Sequence, residues 1–144
     1  MKDDRLRIPI DDPYLDAIGL AIIAFARLEW SAVWCCESLD PGYIQTVTRK
    51  TAGEIAWDLV KRTNGIEDRA LRDDIALVAD KFKRLVETRN ALLHGKPGTA
   101  KNGKQRLFRD GTEWTIERVN EAADMFAECD MRLNAIYHER LKAL

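Results

Sequence analysis

LRDDIALVADKFKRLVETRNALLHG, residues 71–95, carries the periodicity that decides the fold. Leu71, Ile75, Val78, Phe82 and Leu85 recur in steps of four and three, and the same count reaches Arg89 and Leu92. That spacing is the core-facing stripe of an amphipathic helix. It predicts a helix from about Glu67 to His94, closed by Gly95 as a C′ residue and by Pro97 beyond it. Arg89 stands where packing asks for a leucine. A guanidinium there needs a buried partner or a cleft, because leaving it unpaired costs several kcal/mol, roughly.

Working outward, Asp12-Pro13 is a good N-cap and N1 pair, and Asp40-Pro41-Gly42 stops the helix it opens near Leu39. This first helix is apolar nearly all round and carries the small residues Gly19, Ala21, Ala24 and Ala26. It suits a central position and a face toward a second subunit. Thr51-Ala52-Gly53-Glu54 has capping-box spacing and opens a shorter helix ending near Asn64-Gly65. Between Lys96 and Thr115 the period changes. Gln105 to Arg109, the Asp110-Gly111 turn and Thr112 to Ile116 read as a β-hairpin that pairs Leu107 with Trp114. A last helix from about Glu117 to Lys142 follows, with Val119, Ala122, Phe126, Cys129, Leu133 and Ile136 as its stripe. The expectation is one all-α domain over residues 1–144, a bundle with a short β-hairpin inserted before the last helix.

A net charge of −1 gives no global bias toward nucleic acid or membrane, so electrostatic arguments must be local. Cys35, Cys36 and Cys129 have neither disulfide-framework nor zinc-ligand spacing, which fits a reducing cytoplasm. Asp3, Asp4, Arg5 and Arg7 open the chain without the apolar region of a signal peptide. The apolar run from Ala17 to Ala26 is interrupted by Arg27 and Glu29 and is too short to span a bilayer, so no membrane association is expected.

Chemistry concentrates at the end of the long helix. Asn90 and His94 share a face, while Arg89 lies about 140° around from His94. The negative end of the helix dipole favours a cationic His94, and Arg89 opposes it. A histidine able to change protonation near neutral pH, beside a permanent cation, suits a phosphate. The plainer alternative is structural: His94 caps the helix, and Arg89 pairs with Glu29, which the count Leu15, Ile18, Ile22, Phe25 places on the first helix's stripe. From Lys96 to Arg109 the bases Lys96, Lys101, Lys104, Arg106 and Arg109 occur with no acid. Such a flexible basic loop and hairpin would hold a polyanion backbone, with Phe108 and Trp114 as candidate stacking rings, although Trp114 is better suited to packing the hairpin onto the bundle. Asp73, Asp74 and His138 read as solvated, and no Gly-rich phosphate loop, Ser-His-Asp set or HExxH motif occurs.

Arg89-Asn90 followed by three residues and His94, at the end of a long helix in a small helical chain, resembles the HEPN superfamily. That resemblance implies a HEPN-like bundle of four or five helices. It also implies a metal-independent endoribonuclease without cofactors, often a toxin or antiphage effector, dimeric and with the motifs facing one another. Arg89 would hold the scissile phosphate, His94 would transfer protons, and Asn90 would orient one or the other. RNA and a second copy are the implied partners, with a cognate antitoxin protein as a further one. Other members of the superfamily bind RNA, nucleotides or proteins without cleaving anything.

Overall fold

Tyr14, Ala17, Ala21, Phe25, Leu28 and Ala32 turn the first helix toward the interior. The computed structural model describes residues 7–142, so Asp3, Asp4 and Arg5 lie outside the described residues. Along the chain come α1 (Asp12–Leu39), a 3-10 segment (Tyr43–Arg49), α2 (Ala52–Asn64) and α3 (Arg69–Leu93). The strands β1 (Lys96–Thr99), β2 (Gln105–Arg109) and β3 (Thr112–Trp114) follow, then α4 (Ile116–Ile136) and a π-helical turn (Tyr137–Leu141). The protein is mostly helical, with a small antiparallel sheet ahead of its last long helix.

Local chemistry sets most boundaries. Thr51 and Glu54 form the expected reciprocal capping box at the start of α2. The Asp68 side chain accepts from Leu71 N–H at 3.1 Å and opens α3. Thr115 does the same for α4, accepting from Arg118 N–H at 3.1 Å, so the chain leaves the strand at Trp114 rather than at Ile116. At α1 the N-cap is Asp11, one residue earlier than the Asp12-Pro13 reading, and its side chain makes no capping bond. That carboxylate is committed elsewhere, to Arg106.

The core forms where Phe25 of α1 meets Phe82 of α3 at 6.1 Å and Phe126 of α4 at 5.1 Å between ring centres. The stripes expected of α3 and α4 are buried, apart from the half-buried Arg89 and Ile136. The α1 stripe is a correction. Leu15 and Ile18 are only half-buried and Ile22 is exposed, because the interior face runs through Tyr14, Ala17, Ala21 and Leu28 instead. Along its length α1 packs on α4, where the Cys35 thiol and the Ser38 hydroxyl bond the carbonyls of Leu133 (3.7 Å) and Leu141 (2.9 Å).

The sheet is a second correction: three strands in the order β1-β2-β3, not a lone hairpin. Leu107 pairs with Trp114 around Asp110-Gly111 as expected, and Lys96–Thr99 adds an edge strand opposite Phe108–Gln105. Asp110 and Gly111 both have positive φ, 52° and 79°, as a two-residue hairpin turn with the right twist requires. Tyr14 ties this sheet to α1. Its hydroxyl donates to the Trp114 carbonyl at 2.7 Å and accepts from Leu107 N–H at 3.0 Å.

Candidate nucleic-acid interface

The C-terminal turn of α3 delivers the motif. His94 is the C-cap, its N–H donating to the Asn90 carbonyl at 2.9 Å, and its side chain is exposed. Gly95 then donates to the Leu92 carbonyl at 3.1 Å. The glycine is required here by crowding and not by a left-handed backbone. A Cβ at Gly95 would stand 3.0 Å from the Leu107 Cβ and 3.1 Å from the Leu92 oxygen. The helix end carrying His94 is thereby pressed directly against β2.

Arg89 is half-buried, with its guanidinium 4.8 Å from the centre of the Phe25 ring. Its Nε is buried and has no hydrogen-bond partner. Glu29, also half-buried, does not reach it within the 4.0 Å of an ion pair. Burial pushes the Glu29 carboxyl above its usual range, and the positive field of Arg89 offsets part of that rise. The two charges therefore feel one another without bonding. No hydrogen bond joins Arg89 to His94, and an α-helix sets them about 7.5 Å apart along its axis and 140° apart around it.

The basic segment divides. Lys96 on β1, Lys101 and Lys104 in the β1–β2 turn, and Arg109 at the end of β2 are exposed. Arg106 is not. It is 6% exposed, pairs with Asp11 at 2.6 Å and lies 4.2 Å over the Tyr14 ring, so its charge is already used inside the fold. Nor is the Lys101–Lys104 segment a loose loop. Ala100 and Lys104 close a turn at 2.9 Å, Asn102 accepts from Lys104 N–H at 3.0 Å, and Gly103 supplies the positive φ of 85°. Trp114 is buried beneath Arg118, 4.3 Å away, and Phe108 is half-buried against Gly98, so neither ring lies open as Trp57 does.

An open ring exists elsewhere. Trp57 of α2 is 47% exposed, with the ammonium groups of Lys83 and Lys61 at 4.6 and 5.7 Å from its ring centre. Lys83, Glu87, Asn90 and His94 lie on one face of α3, and Lys83 is about 16 Å from His94 along the axis. This cationic–aromatic platform escaped the sequence reading. Trp57 and Lys83 sit on different helices, and no local spacing announces their meeting.

Among the described residues, no group of three or more His, Cys, Asp or Glu side chains is placed to hold a metal ion. No family model matches the chain, and neither does any curated protein or solved structure.

Proposed function

We propose that this protein is a HEPN-like, metal-independent endoribonuclease that works as a dimer at a site built from Arg89, Asn90 and His94. The observation that carries the reading is the state of Arg89. Its guanidinium is stacked on Phe25 and held in the field of Glu29, yet no carboxylate bonds it and its Nε is unsatisfied. With no carboxylate bonded to them, the terminal nitrogens of that guanidinium would take a phosphate diester as their acceptor.

In this mechanism an imidazole takes the proton of a ribose 2′-hydroxyl as its oxygen attacks the adjacent phosphorus. A second imidazole, protonated, gives its proton to the departing 5′-oxygen, leaving a 2′,3′-cyclic phosphate and a 5′-hydroxyl. Arg89 stabilises the charge that builds on the phosphoryl oxygens. One copy places a single histidine at this end of α3, so a two-fold pair supplies both imidazoles. Lys96, Lys101, Lys104 and Arg109 neutralise flanking phosphates, and Trp57 between its lysines offers a base a stacking surface.

The wide angle between Arg89 and His94, with no bond joining them, favours a second reading: an RNA-binding module of the same architecture without cleavage. Purified protein incubated with mixed RNA and a chelator separates the two. Cleavage with cyclic-phosphate ends, abolished by His94→Ala and by Arg89→Ala, is the expected result. Cleavage that persists in both variants belongs to a contaminant and removes the proposal. Binding without cleavage selects the module.

A further inference from the structure

α1 and α4 run parallel. Ser31 bonds Asp130, Cys35 bonds Leu133 and Ser38 bonds Leu141, so both numbers rise together along the seam. The outer side of that seam is grooved, and Ala26 leaves room there. One stretch of the groove, about 500 Å³, lies between Arg27 and Asp130, and a second, about 310 Å³, is lined by Trp34, Tyr137 and His138. Trp30, Ser31 and Asn134 line both stretches, which are therefore continuous. These are the dimensions of a small-molecule site. Around α1, Arg27, Trp30 and Trp34 lie about 140–180° from Phe25, over which Arg89 stacks. The groove is thus separate from the site at the end of α3.

The first stretch holds a base and an acid that do not pair. Arg27 and Ser31 are four apart and so are neighbours on the helix surface. The Ser31 hydroxyl bonds one oxygen of Asp130, yet among the described residues no carboxylate comes within 4.0 Å of the Arg27 guanidinium. The second stretch is aromatic. Trp30 and Trp34 meet at 84° with ring centres 6.3 Å apart, a right-angled corner of two indoles, and Tyr137 stands 6.1 Å from Trp34. Both indoles are open, Trp30 by 50% and Trp34 by 38%. We propose that this groove binds a free α-amino acid with an aromatic side chain. The ligand's carboxylate pairs with the Arg27 guanidinium, and its ammonium with the Asp130 oxygen that Ser31 does not bond. Its ring enters the corner, stacked on one indole and edge-on to the other. Charge selects this class of ligand. A nucleotide brings a multiply negative phosphate to a groove whose acid and base cancel, and a quaternary ammonium leaves Arg27 unmatched. A zwitterion matches both charges.

Titration with L-phenylalanine, followed by calorimetry and by the indole N–H signals in proton–nitrogen NMR spectra, tests it without any RNA. Saturable binding with a Kd below about 1 mM is expected, shifting the Trp30 and Trp34 signals and leaving those of Trp57 and Trp114 in place. N-acetyl-phenylalanine and phenylalanine amide keep the ring and lose one charge each, and should bind at least about tenfold more weakly. Arg27→Met and Asp130→Asn should each weaken phenylalanine by at least about tenfold. Asp130→Asn should not weaken N-acetyl-phenylalanine, a ligand that a merely structural defect would not spare. No saturation by about 10 mM phenylalanine overturns the proposal, as do blocked derivatives that bind as tightly as the free amino acid. AMP that shifts the Trp30 and Trp34 signals at lower concentration than phenylalanine assigns the groove to nucleotides and overturns it too. By length and composition α1 could also cross a membrane. Phosphatidylcholine or phosphatidylglycerol vesicles that capture the protein through Trp30 and Trp34, with phenylalanine unable to compete, assign the groove to lipid and equally overturn the proposal.

Discussion

Replacing Arg89 by methionine distinguishes a guanidinium kept for a ligand from one that holds the fold together. Breaking a buried ion pair by removing one partner destabilises by about 3–5 kcal/mol. Arg89 is in a different position, with no bonded carboxylate and a buried Nε lacking an acceptor. Removing that unsatisfied group relieves about 1–3 kcal/mol. Against this stands the lost attraction over Phe25, about 1 kcal/mol at a half-buried site, partly replaced by a thioether against the same ring. The remaining loss falls on Glu29, whose raised carboxyl pKa rises further without the cation. Its ordinary value is 4.5, and a folded value above the unfolded one means the native state binds more protons in between. Both chains therefore lose stability as the pH rises from 4.5, and the variant declines relative to wild type between the wild-type folded value and its own higher one. Near pH 4.5 the variant should match or exceed wild type, and at pH 7 it should lie within about 1 kcal/mol, or roughly 3 °C in Tm for a chain of this size. Urea unfolding by circular dichroism, at both pH values, measures this. RNA cleavage should meanwhile fall by about 100-fold or more. A loss of 3 kcal/mol or more at pH 7 would show, on the scale of buried ion pairs, that Arg89 is structural, and the reasoning fails.

The other expectations concern the frame around the site. Tyr14→Phe strands the Leu107 N–H and the Trp114 carbonyl, and should destabilise by about 2 kcal/mol in urea unfolding, whereas a loss under 0.5 kcal/mol would mean the hydroxyl bridge contributes little. Burial pushes the Cys35 and Cys36 thiols up to about 12 and that of Cys129 to about 11. At pH 8 all three should resist iodoacetamide in the native protein and react only on unfolding, as mass spectrometry will report. The hydrogen bond from Arg106 holds the Asp11 carboxyl below its ordinary 3.8, so the stability it confers is present above that value and is lost as the pH falls through the lowered one. Wild type and Asp11→Asn should thus differ most near neutral pH and converge in Tm below pH 3.8. Trp57→Ala should weaken single-stranded RNA binding by about tenfold in fluorescence anisotropy with the fold intact, and unchanged affinity would remove the stacking platform.

What the sequence made legible depended on whether a signal was local. The α3 stripe, the Thr51–Glu54 box and the Asp110-Gly111 turn each lie within a few residues, and each appears where the spacing put it. The α1 face did not, because a helix apolar nearly all round offers no polar phase against which to count. β1 was hidden by Pro97 and Gly98, which read as loop; an edge strand tolerates a proline whose missing donor would have faced outward. Arg106 alternates with its neighbours as any strand residue does. Its partner Asp11 lies 95 positions away, so nothing nearby marks it as interior. At the site, the stripe marked Arg89 as out of place but left a buried partner and a cleft both open, and the Glu29 contact resolved as a field rather than a bond.

The pairing of α1 with α4 joins segments about a hundred positions apart, as the bond from Cys35 to Leu133 illustrates with a separation of 98. A ribosome adding about 5–20 residues per second therefore exposes the whole first helix for several seconds before its packing surface exists. During that interval both the inner and the outer flank of α1 are greasy and open. Chaperone capture during synthesis, and clumping on rapid dilution from denaturant, should begin with this helix. Adding or deleting holdase in a refolding mixture will change yield far more than rate.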